Sequence, residues 1–308
     1  MKAKTIKAIL SKKFNQWVES IESSEVKKLV KDNTIITGGS IASMLLKEEV
    51  NDFDLYFRNK ETTLAVAKYY VDRFKAISQT KFKKDGGEVE IEIKDEPDRV
   101  KIYIKSAGIA NEGGTDSYEY FESQPDEAAE NYVQEVIDAT AELDDRGHTE
   151  EEKAKYRPVF LTANAITLSD RVQLVLRFFG EPDAIHENYD FVHCTNYWSS
   201  WDHNLVLRPA ALEALLAKEL RYVGSKYPVC SIIRLRKFIK RGWMINAGQI
   251  LKMCMQVSQL DLSNVKVLED QLIGVDAAYF MQIIAQLAAK DPEKVDFGYL
   301  MTIIDRIF

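Results

Sequence analysis

Residues Thr34–Asn59, TIITGGSIASMLLKEEVNDFDLYFRN, place two carboxylates inside what is otherwise the sequence of a buried strand. Asp52 and Asp54 alternate with three apolar side chains, those of Phe53, Leu55 and Phe57. Because alternate side chains of a strand share a face, this pattern predicts a strand from Asp52 to Phe57 with one apolar face. The other face then carries a pair of carboxylates.

The carboxylate pair predicts a metal site. Two carboxylates a few ångströms apart raise each other's pKa, so their joint presence favours a cation between them. Magnesium is the natural candidate, because it is a hard ion that binds through one or two carboxylates plus substrate phosphates. The sequence therefore predicts Asp52 and Asp54 as metal ligands and catalytic residues, with Mg²⁺ or Mn²⁺ as the cofactor.

The glycine pair upstream predicts an anion cradle. Gly38 and Gly39 allow backbone N–H groups to approach a ligand closely, and a helix that Ser40 caps would add its positive end. An anion cradle beside a metal-binding strand is the apparatus of nucleotidyl transfer, in which metal ions stabilise the entering and leaving oxygens. Gly38, Gly39 and Ser40 are thus the candidate nucleotide-binding residues, with a nucleoside triphosphate as substrate.

The composition limits the class of protein that can carry this site. The chain has 308 residues and 46% hydrophobic residues, which is enough for a substantial core, and its formal net charge is -7. It contains no apolar run long enough to span a membrane, and lysines interrupt its N-terminal stretch too often for a signal peptide. Three widely spaced cysteines fit reduced thiols. We therefore expect a cytoplasmic protein without membrane contact.

Hydrophobic periodicity predicts an α+β head followed by helices. The head covers residues 1–180: a helix over 5–32, the strands and helix of the opening stretch, a helix over 61–77, a hairpin from 88–94 and 99–105, and two strands over 158–168 and 171–179. A polar, acidic insertion at about 106–155 interrupts it, with fifteen acidic and two basic residues between Glu112 and Lys153. Residues 181–308 are predicted to form an all-helical neck and C-terminal domain.

A basic segment lies in the helical half. Residues 218–241 carry eight basic residues and one acidic residue. The stretch from Arg234 to Arg241, RLRKFIKR, is predicted to lie on a helix with Ile233, Phe238 and Ile239 facing inward. The basic side chains then form an exposed stripe that contacts phosphates of a nucleotide or of an RNA acceptor. A solvated helix face without a ligand is the alternative.

Three motifs carry a resemblance to a known family. Gly38 precedes Asp52 by fourteen residues with a leucine pair between them, ENYDFVHCTNYW contains Asp190 and Phe191, and YPVCSIIRLRKFIKRGWMI follows. In that order they resemble the polymerase-β-like nucleotidyltransferase superfamily, nearest to the head and neck of bacterial tRNA nucleotidyltransferase and poly(A) polymerase. The resemblance implies a mixed sheet with flanking helices, a role for Asp190 in catalysis, and roles for Arg234 and Lys237 in nucleotide binding.

The chain also departs from the family pattern. Ala42-Ser43 and Asn188-Tyr189 stand where the family has an Arg-Asp pair and paired arginines. Gln173 falls where many superfamily members keep a third carboxylate, for which Asp190 and Glu92 are the substitutes. We therefore do not expect CCA addition, and the chain most resembles nucleotidyltransferase-like proteins of tailed phages, which would place it in the host cytoplasm or the virion.

Two classes of function follow. The first is a metal-dependent nucleotidyltransferase that moves a nucleoside monophosphate from a triphosphate to an RNA 3′ end, a protein or a small molecule. A toxin-like enzyme that nucleotidylates host tRNA or protein differs from it only in the acceptor. The alternative is a catalytically decayed nucleotidyltransferase fold that acts as a binding or structural protein, as the missing arginines and Gln173 suggest.

Overall fold

The computed structural model describes residues 1–82, 91–104, 109–110, 155–262, 264–272, 298 and 301–302. Nearly all of the acidic insertion predicted at 106–155, and the C-terminal stretch beyond residue 272 apart from those three residues, lie outside the described residues. In the described part the chain is α+β, with a mixed sheet, flanking helices and a helical region after the sheet. The predicted fold class is confirmed.

One eight-stranded sheet forms the centre of the head, in the order β10-β9-β1-β2-β8-β7-β6-β5. Neighbouring strands run antiparallel except for the β2–β8 pair, which is parallel. A separate hairpin of β3 and β4 confirms the one predicted from the sequence. The strands are β1 (Thr34–Thr37), β2 (Phe53–Phe57), β3 (Ile91–Glu96), β4 (Arg99–Ile104), β5 (Ile109–Ala110), β6 (Pro158–Leu161), β7 (Ala165–Leu168), β8 (Val172–Phe179), β9 (Tyr197–Ser199) and β10 (Leu205–Val206).

Helices cover the sheet and continue beyond it. The four in the head are α1 (Ala3–Ser20), α2 (Ser24–Asn33), α3 (Gly39–Leu46) and α4 (Lys60–Phe82). A short helix, α5 (Pro182–His186), and a 3₁₀ turn at Val192–Cys194 lie between β8 and β9. The helices after the sheet are α6 (Pro209–Ala217), α7 (Pro228–Lys240), α8 (Ala247–Val257) and α9 (Val265–Leu272).

The two faces of the sheet differ because strand pairing aligns one residue from each strand. Ile36 pairs with Leu55, which pairs with Leu174, and all three are buried in the main core under α1, α2 and α4. One residue further along, Thr37 pairs with Asp54, and Asp54 pairs with Gln173. Tyr197 extends this row on one side and Thr167 on the other. The row places the polar side chains on the face opposite the main core.

Several predicted boundaries were wrong. The helix predicted over 5–32 is two helices, and the side chain of Ser23 caps the second by accepting the N–H of Val26. The strand predicted over 158–168 is the β6–β7 hairpin. The head does not end at residue 180, because β9 and β10 complete one edge of its sheet.

Two buried side chains tie α1 to α4. The indole N–H of Trp17 donates to the hydroxyl of Tyr70 at 2.8 Å, and both side chains are fully buried. None of the helices in the described ranges is long and apolar enough to cross a membrane.

We expect Tyr70→Phe to lower the free energy of unfolding by about 1–3 kcal/mol, because it leaves the buried Trp17 N–H without its acceptor. Urea denaturation followed by tryptophan fluorescence measures the change. Tyr103→Phe is the control, since that side chain is 42% exposed. Equal effects of the two changes would contradict the assignment.

Candidate functional site

The turn between β1 and α3 brings backbone against a carboxylate. Gly38 has φ 96° and ψ -148°, a conformation that side-chain-bearing residues rarely adopt. A Cβ atom at this position would lie 2.9 Å from Oδ2 of Asp54 and 3.6 Å from the hydroxyl oxygen of Tyr189. Gly38 therefore allows the chain to pass directly beside Asp54.

Helix α3 begins immediately after this turn, and its start differs from the prediction. The helix begins at Gly39 with Gly38 in the capping position, so Ser40 lies inside the first turn and does not cap it. The N–H of Gly38 donates to the carbonyl oxygen of Cys194 at 3.2 Å and is not free for a ligand. The first N–H groups within a helix have no intrahelical acceptor, so those of Gly39 and Ser40 are the available donors.

The hydroxyl of Ser40 is a second donor at the same turn. Its side chain is buried, and none of the described residues hydrogen-bonds to its hydroxyl oxygen. A buried hydroxyl without a partner is costly, and such groups mark places where a ligand or water completes the site.

The two candidate metal ligands flank the start of β2. Asp54 lies within the strand, whereas Asp52, which was predicted to begin it, lies one residue before its start. Both side chains are half-buried. No three His, Cys, Asp or Glu side chains within the described ranges form a metal-binding group. Two carboxylates fit Mg²⁺ or Mn²⁺, which take their remaining oxygens from phosphates and water.

The residues considered for a third carboxylate are dispersed. Gln173 pairs directly with Asp54 across the parallel β2–β8 ladder, so an amide occupies that neighbouring position. Glu92 lies in the separate β3–β4 hairpin, with its side chain exposed. Neither supplies a carboxylate beside Asp54.

Asp190 is bound to the neck helix α7. It accepts a hydrogen bond from the hydroxyl of Ser231 at 2.7 Å and forms an ion pair with Nη1 of Arg234 at 2.6 Å. Asp190 and Arg234, two of the predicted site residues, are therefore partners of each other. Lys237, the third predicted residue of this region, is exposed on the same helix.

The basic stripe on α7 is only partly as predicted. Its exposed members are Arg236, Lys237, Lys240 and Arg241. Ile239 was predicted to face inward but is 53% exposed. Phe238 does pack inward, against the apolar cluster that joins α3 to the neck.

Ala42 explains one departure from the family pattern in physical terms. It is buried in a cluster with Phe191, Leu215 and Trp243, where α3 meets the helices that follow the sheet. A guanidinium group at this position would lose its hydration among apolar side chains. The cation that the resemblance predicts is replaced by packing between head and neck.

Cys194 lies between the two parts of the site. Burial raises the pKa of its thiol to about 12, with the Asp190 and Asp54 carboxylates acting in the same direction and Arg234 and Arg241 against them. The thiol therefore lies close enough to both Asp54 and the Asp190–Arg234 pair for their charges to act on it. The raised pKa keeps the thiol protonated, so Cys194 contributes no nucleophile.

Two tyrosines beside Asp54 were missed as site residues from the sequence. The rings of Tyr56 and Tyr189 lie 5.9 Å apart, and burial, reinforced by the Asp54 carboxylate, raises the pKa of both hydroxyls. Tyr56 follows Asp54 by two residues, so alternation signals that it shares the face. Tyr189 was interpreted only as a lost arginine.

Thr37 and His186 complete the wall behind the glycine turn. The hydroxyl of Thr37 donates to the carbonyl oxygen of Asn196 at 2.8 Å and lies 2.8 Å from Nε2 of His186. Because Thr37 has one proton to donate, Nε2 of His186 carries the hydrogen of the second bond. Burial lowers the pKa of His186 to about 3, so the imidazole is neutral at pH 7.

We expect Gly38→Ala and Gly39→Ala to have opposite effects on stability. The methyl group at position 38 meets Asp54 at a positive φ, whereas a Cβ at position 39 has no heavy atom within 4 Å. Gly38→Ala should lower the free energy of unfolding by about 2 kcal/mol, and Gly39→Ala should leave it unchanged or raise it by up to ~1 kcal/mol. Urea titration checks both; a loss of similar size at position 39 would contradict the turn geometry.

The buried imidazole predicts a pH dependence. The unfolded chain protonates His186 near pH 6.5, but the folded chain does so only near pH 3. The unfolded state therefore binds more protons in this window, and stability falls as the pH decreases through it.

We expect His186→Gln to reduce that slope by up to ~1.4 kcal/mol per pH unit. Denaturation between pH 7 and pH 4 measures it, with the exposed His203→Gln as control; equal slopes in the two variants would contradict the burial argument.

The chain is similar to several solved structures of tRNA-processing enzymes. The chain is similar to a Thermotoga maritima CCA-adding enzyme complexed with tRNA_CCA (11% identity, 89% of this chain, 53% of that chain, TM-score 0.37). It is also similar to the Bacillus stearothermophilus CCA-adding enzyme in complex with CTP (10% identity, 90% and 56%, TM-score 0.36). A third is a tRNA nucleotidyltransferase complexed with a primer tRNA and an incoming ATP analog (11% identity, 83% and 56%, TM-score 0.33).

These similarities have a limited meaning. The chain spans little more than half the length of the three structures. Identities and TM-scores of this size carry no inference about substrate or activity. No curated protein matches the chain.

A family profile matches more than half of the sequence. The match covers residues 8–218, which include the whole glycine turn, β2, Gln173 and Asp190. The chain belongs to the Gabija anti-defense 2 family.

Proposed function

We propose that the protein is a metal-dependent nucleotidyltransferase that moves a nucleoside monophosphate from a nucleoside triphosphate to an acceptor hydroxyl. The hydroxyl oxygen forms a bond to the α-phosphorus, the bond between the α- and β-phosphates breaks, and pyrophosphate leaves. The observation that carries the proposal is the close approach of Gly38 to Asp54, where a Cβ would lie 2.9 Å from Oδ2. This approach puts the start of α3 beside Asp54, with the N–H groups of its first turn and the hydroxyl of Ser40, which has no hydrogen-bond partner among the described residues. A triphosphate and a metal ion are the ligands for which such a juxtaposition is suited.

Asp52 and Asp54 hold the metal in this proposal. A divalent ion bound there lowers the pKa of an acceptor hydroxyl and stabilises the charge on the transferred phosphoryl group. The N–H groups of Gly39 and Ser40 and the hydroxyl of Ser40 bind phosphate oxygens. The N–H of Gly38 is already hydrogen-bonded to the carbonyl oxygen of Cys194, so Gly38 contributes only the space left by the absence of a side chain.

Asp190 and Arg234 position the substrate from the neck side. Arg234 is held by Asp190 at 2.6 Å, so its orientation is fixed before a ligand arrives, and its positive charge is proposed to attract a phosphate group of the substrate. Asp190 is thus proposed as the residue that orients Arg234. The exposed basic side chains from Arg236 to Arg241, including Lys237, extend this surface toward a phosphate-bearing acceptor such as an RNA 3′ end.

The family membership suggests the biological purpose. We infer that nucleotidyl transfer serves to counteract the Gabija defense, with a protein, an RNA 3′ end or a small molecule as the acceptor. The retained glycine turn and carboxylates support an active enzyme over a decayed binding protein. A phage-encoded protein acting in the host cytoplasm fits an anti-defense family.

The first experiment tests transfer. Purified protein is incubated with each labelled nucleoside triphosphate, Mg²⁺ or Mn²⁺, and an extract of cells that carry the Gabija defense. We expect label to enter one acceptor class with wild-type protein and to fall at least ~100-fold with Asp52→Asn/Asp54→Asn, because metal-held phosphoryl transfer loses several kcal/mol of stabilisation.

The matched control removes two carboxylates elsewhere. Asp32→Asn/Asp72→Asn changes two exposed aspartates on α2 and α4 and should transfer label at the wild-type rate. Equal transfer by wild-type and Asp52→Asn/Asp54→Asn protein would exclude the carboxylates as the catalytic site. Nucleotide-dependent thermal stabilisation without transfer to any acceptor would instead favour the decayed binding protein.

A further inference from the structure

Arg177, a buried arginine on β8, hydrogen-bonds to the described residues through only part of its guanidinium group. The side chain of Arg177 is only 7% exposed. Its Nε donates to the hydroxyl oxygen of Tyr227 at 2.6 Å, and its Nη2 contacts both that oxygen and Oδ1 of Asp270, the latter at 3.3 Å. Its Nη1 is buried without a hydrogen-bond partner among the described residues. Buried guanidinium groups are normally fully hydrogen-bonded, so this half of the side chain lacks an acceptor.

A second arginine converges on the same carboxylate. Nη1 of Arg99, at the start of β4, lies 3.7 Å from Asp270, and Nε of Arg99 also pairs with Glu96. The arginines are more buried than their shared partner, since Arg99 is 18% and Asp270 44% exposed. The two arginines on β4 and β8 thus form a cationic site, and the carboxylate of Asp270 contacts it from α9 at the surface.

Tyr227 supplies a further donor. It accepts from Arg177, which leaves its own proton to donate. Burial raises its pKa, so the hydroxyl remains protonated at neutral pH. Two guanidinium groups and a hydroxyl around one point match the three oxygens of a phosphate group better than the two of a carboxylate.

We propose that Arg177, Arg99 and Tyr227 form a second phosphate-binding site, which the carboxylate of Asp270 occupies until a ligand displaces it. Rotation of the half-exposed Asp270 side chain opens the site, and a phosphate then also pairs with Nη1 of Arg177. Along β8, Arg177 lies four residues beyond Gln173, the partner of Asp54, or about 13 Å at the rise of a strand. The site is therefore separate from the proposed metal site and does not depend on the proposed function.

The experiment measures binding of inorganic pyrophosphate and of a six-nucleotide RNA by calorimetry, in buffer with a chelator so that no divalent ion supports the Asp52–Asp54 site. Asp270→Asn should tighten binding of at least one probe by about fivefold, because it removes a competing charge of surface ion-pair strength. Tightening for pyrophosphate alone assigns free phosphate compounds as ligands, and tightening for the RNA assigns a nucleic-acid backbone.

Two further variants make the result specific. Asp98→Asn removes the same charge nearby, from a 66% exposed carboxylate paired with Lys226 at 3.7 Å, and should change affinity much less. Adding Arg99→Gln to Asp270→Asn should reverse the gain in affinity. Arg99 is substituted in preference to Arg177 because its side chain is partly exposed, whereas that of Arg177 is buried. Equal affinities of the Asp270→Asn and Asp98→Asn proteins, or no binding of either probe by any variant, would overturn the proposal.

Discussion

The contact between Gly38 and Asp54 constrains the rest of the site. Antiparallel pairing of Thr37 with Asp54 fixes the carboxylate beside the end of β1, so the next residue must turn away within one peptide unit. A positive φ permits that turn, and only a residue without Cβ fits the remaining space. The start of α3 therefore lies at the carboxylate because of strand register, and the arrangement on which the proposed phosphate site rests follows from the same pairing.

The three sequence segments that resemble the nucleotidyltransferase family meet around this contact. The glycine turn is bonded to the second segment through the N–H of Gly38 and the carbonyl of Cys194. The second segment is bonded to the third through Asp190 and Arg234. Glu48, which follows α3, also lies within 3.8 Å of Lys218 and Arg241 beyond the sheet. Head and neck are consequently joined by polar contacts that pass through the site itself.

The local elements around this contact, β2 and the glycine turn before α3, were predictable because their signals are local. Strand alternation in FDLYF and a glycine pair before an apolar helix each depend on neighbours within a few residues. The Asp190–Arg234 pair was not predictable, since the partners are 44 residues apart and each was assigned to a ligand. The prediction that Ile239 faces inward was wrong for a related reason. Helical spacing identifies an apolar side chain but not whether another element covers it. The buried roles of Ala42 and Tyr189 depend on tertiary packing that no local pattern reports.

The side chains around Asp54 differ in charge from those of the nucleotidyltransferase pattern, which has arginines. Burial keeps the hydroxyls of Tyr56 and Tyr189 protonated and His186 neutral, so these groups offer dipoles to a ligand and no charge. A hydrogen bond to a charged phosphate oxygen from a neutral donor is weaker than one from a guanidinium group. For the proposed triphosphate substrate, the attraction must then come chiefly from the proposed metal ion and from Arg234. Nucleotide affinity should accordingly depend more strongly on the divalent ion than in a site lined by paired arginines.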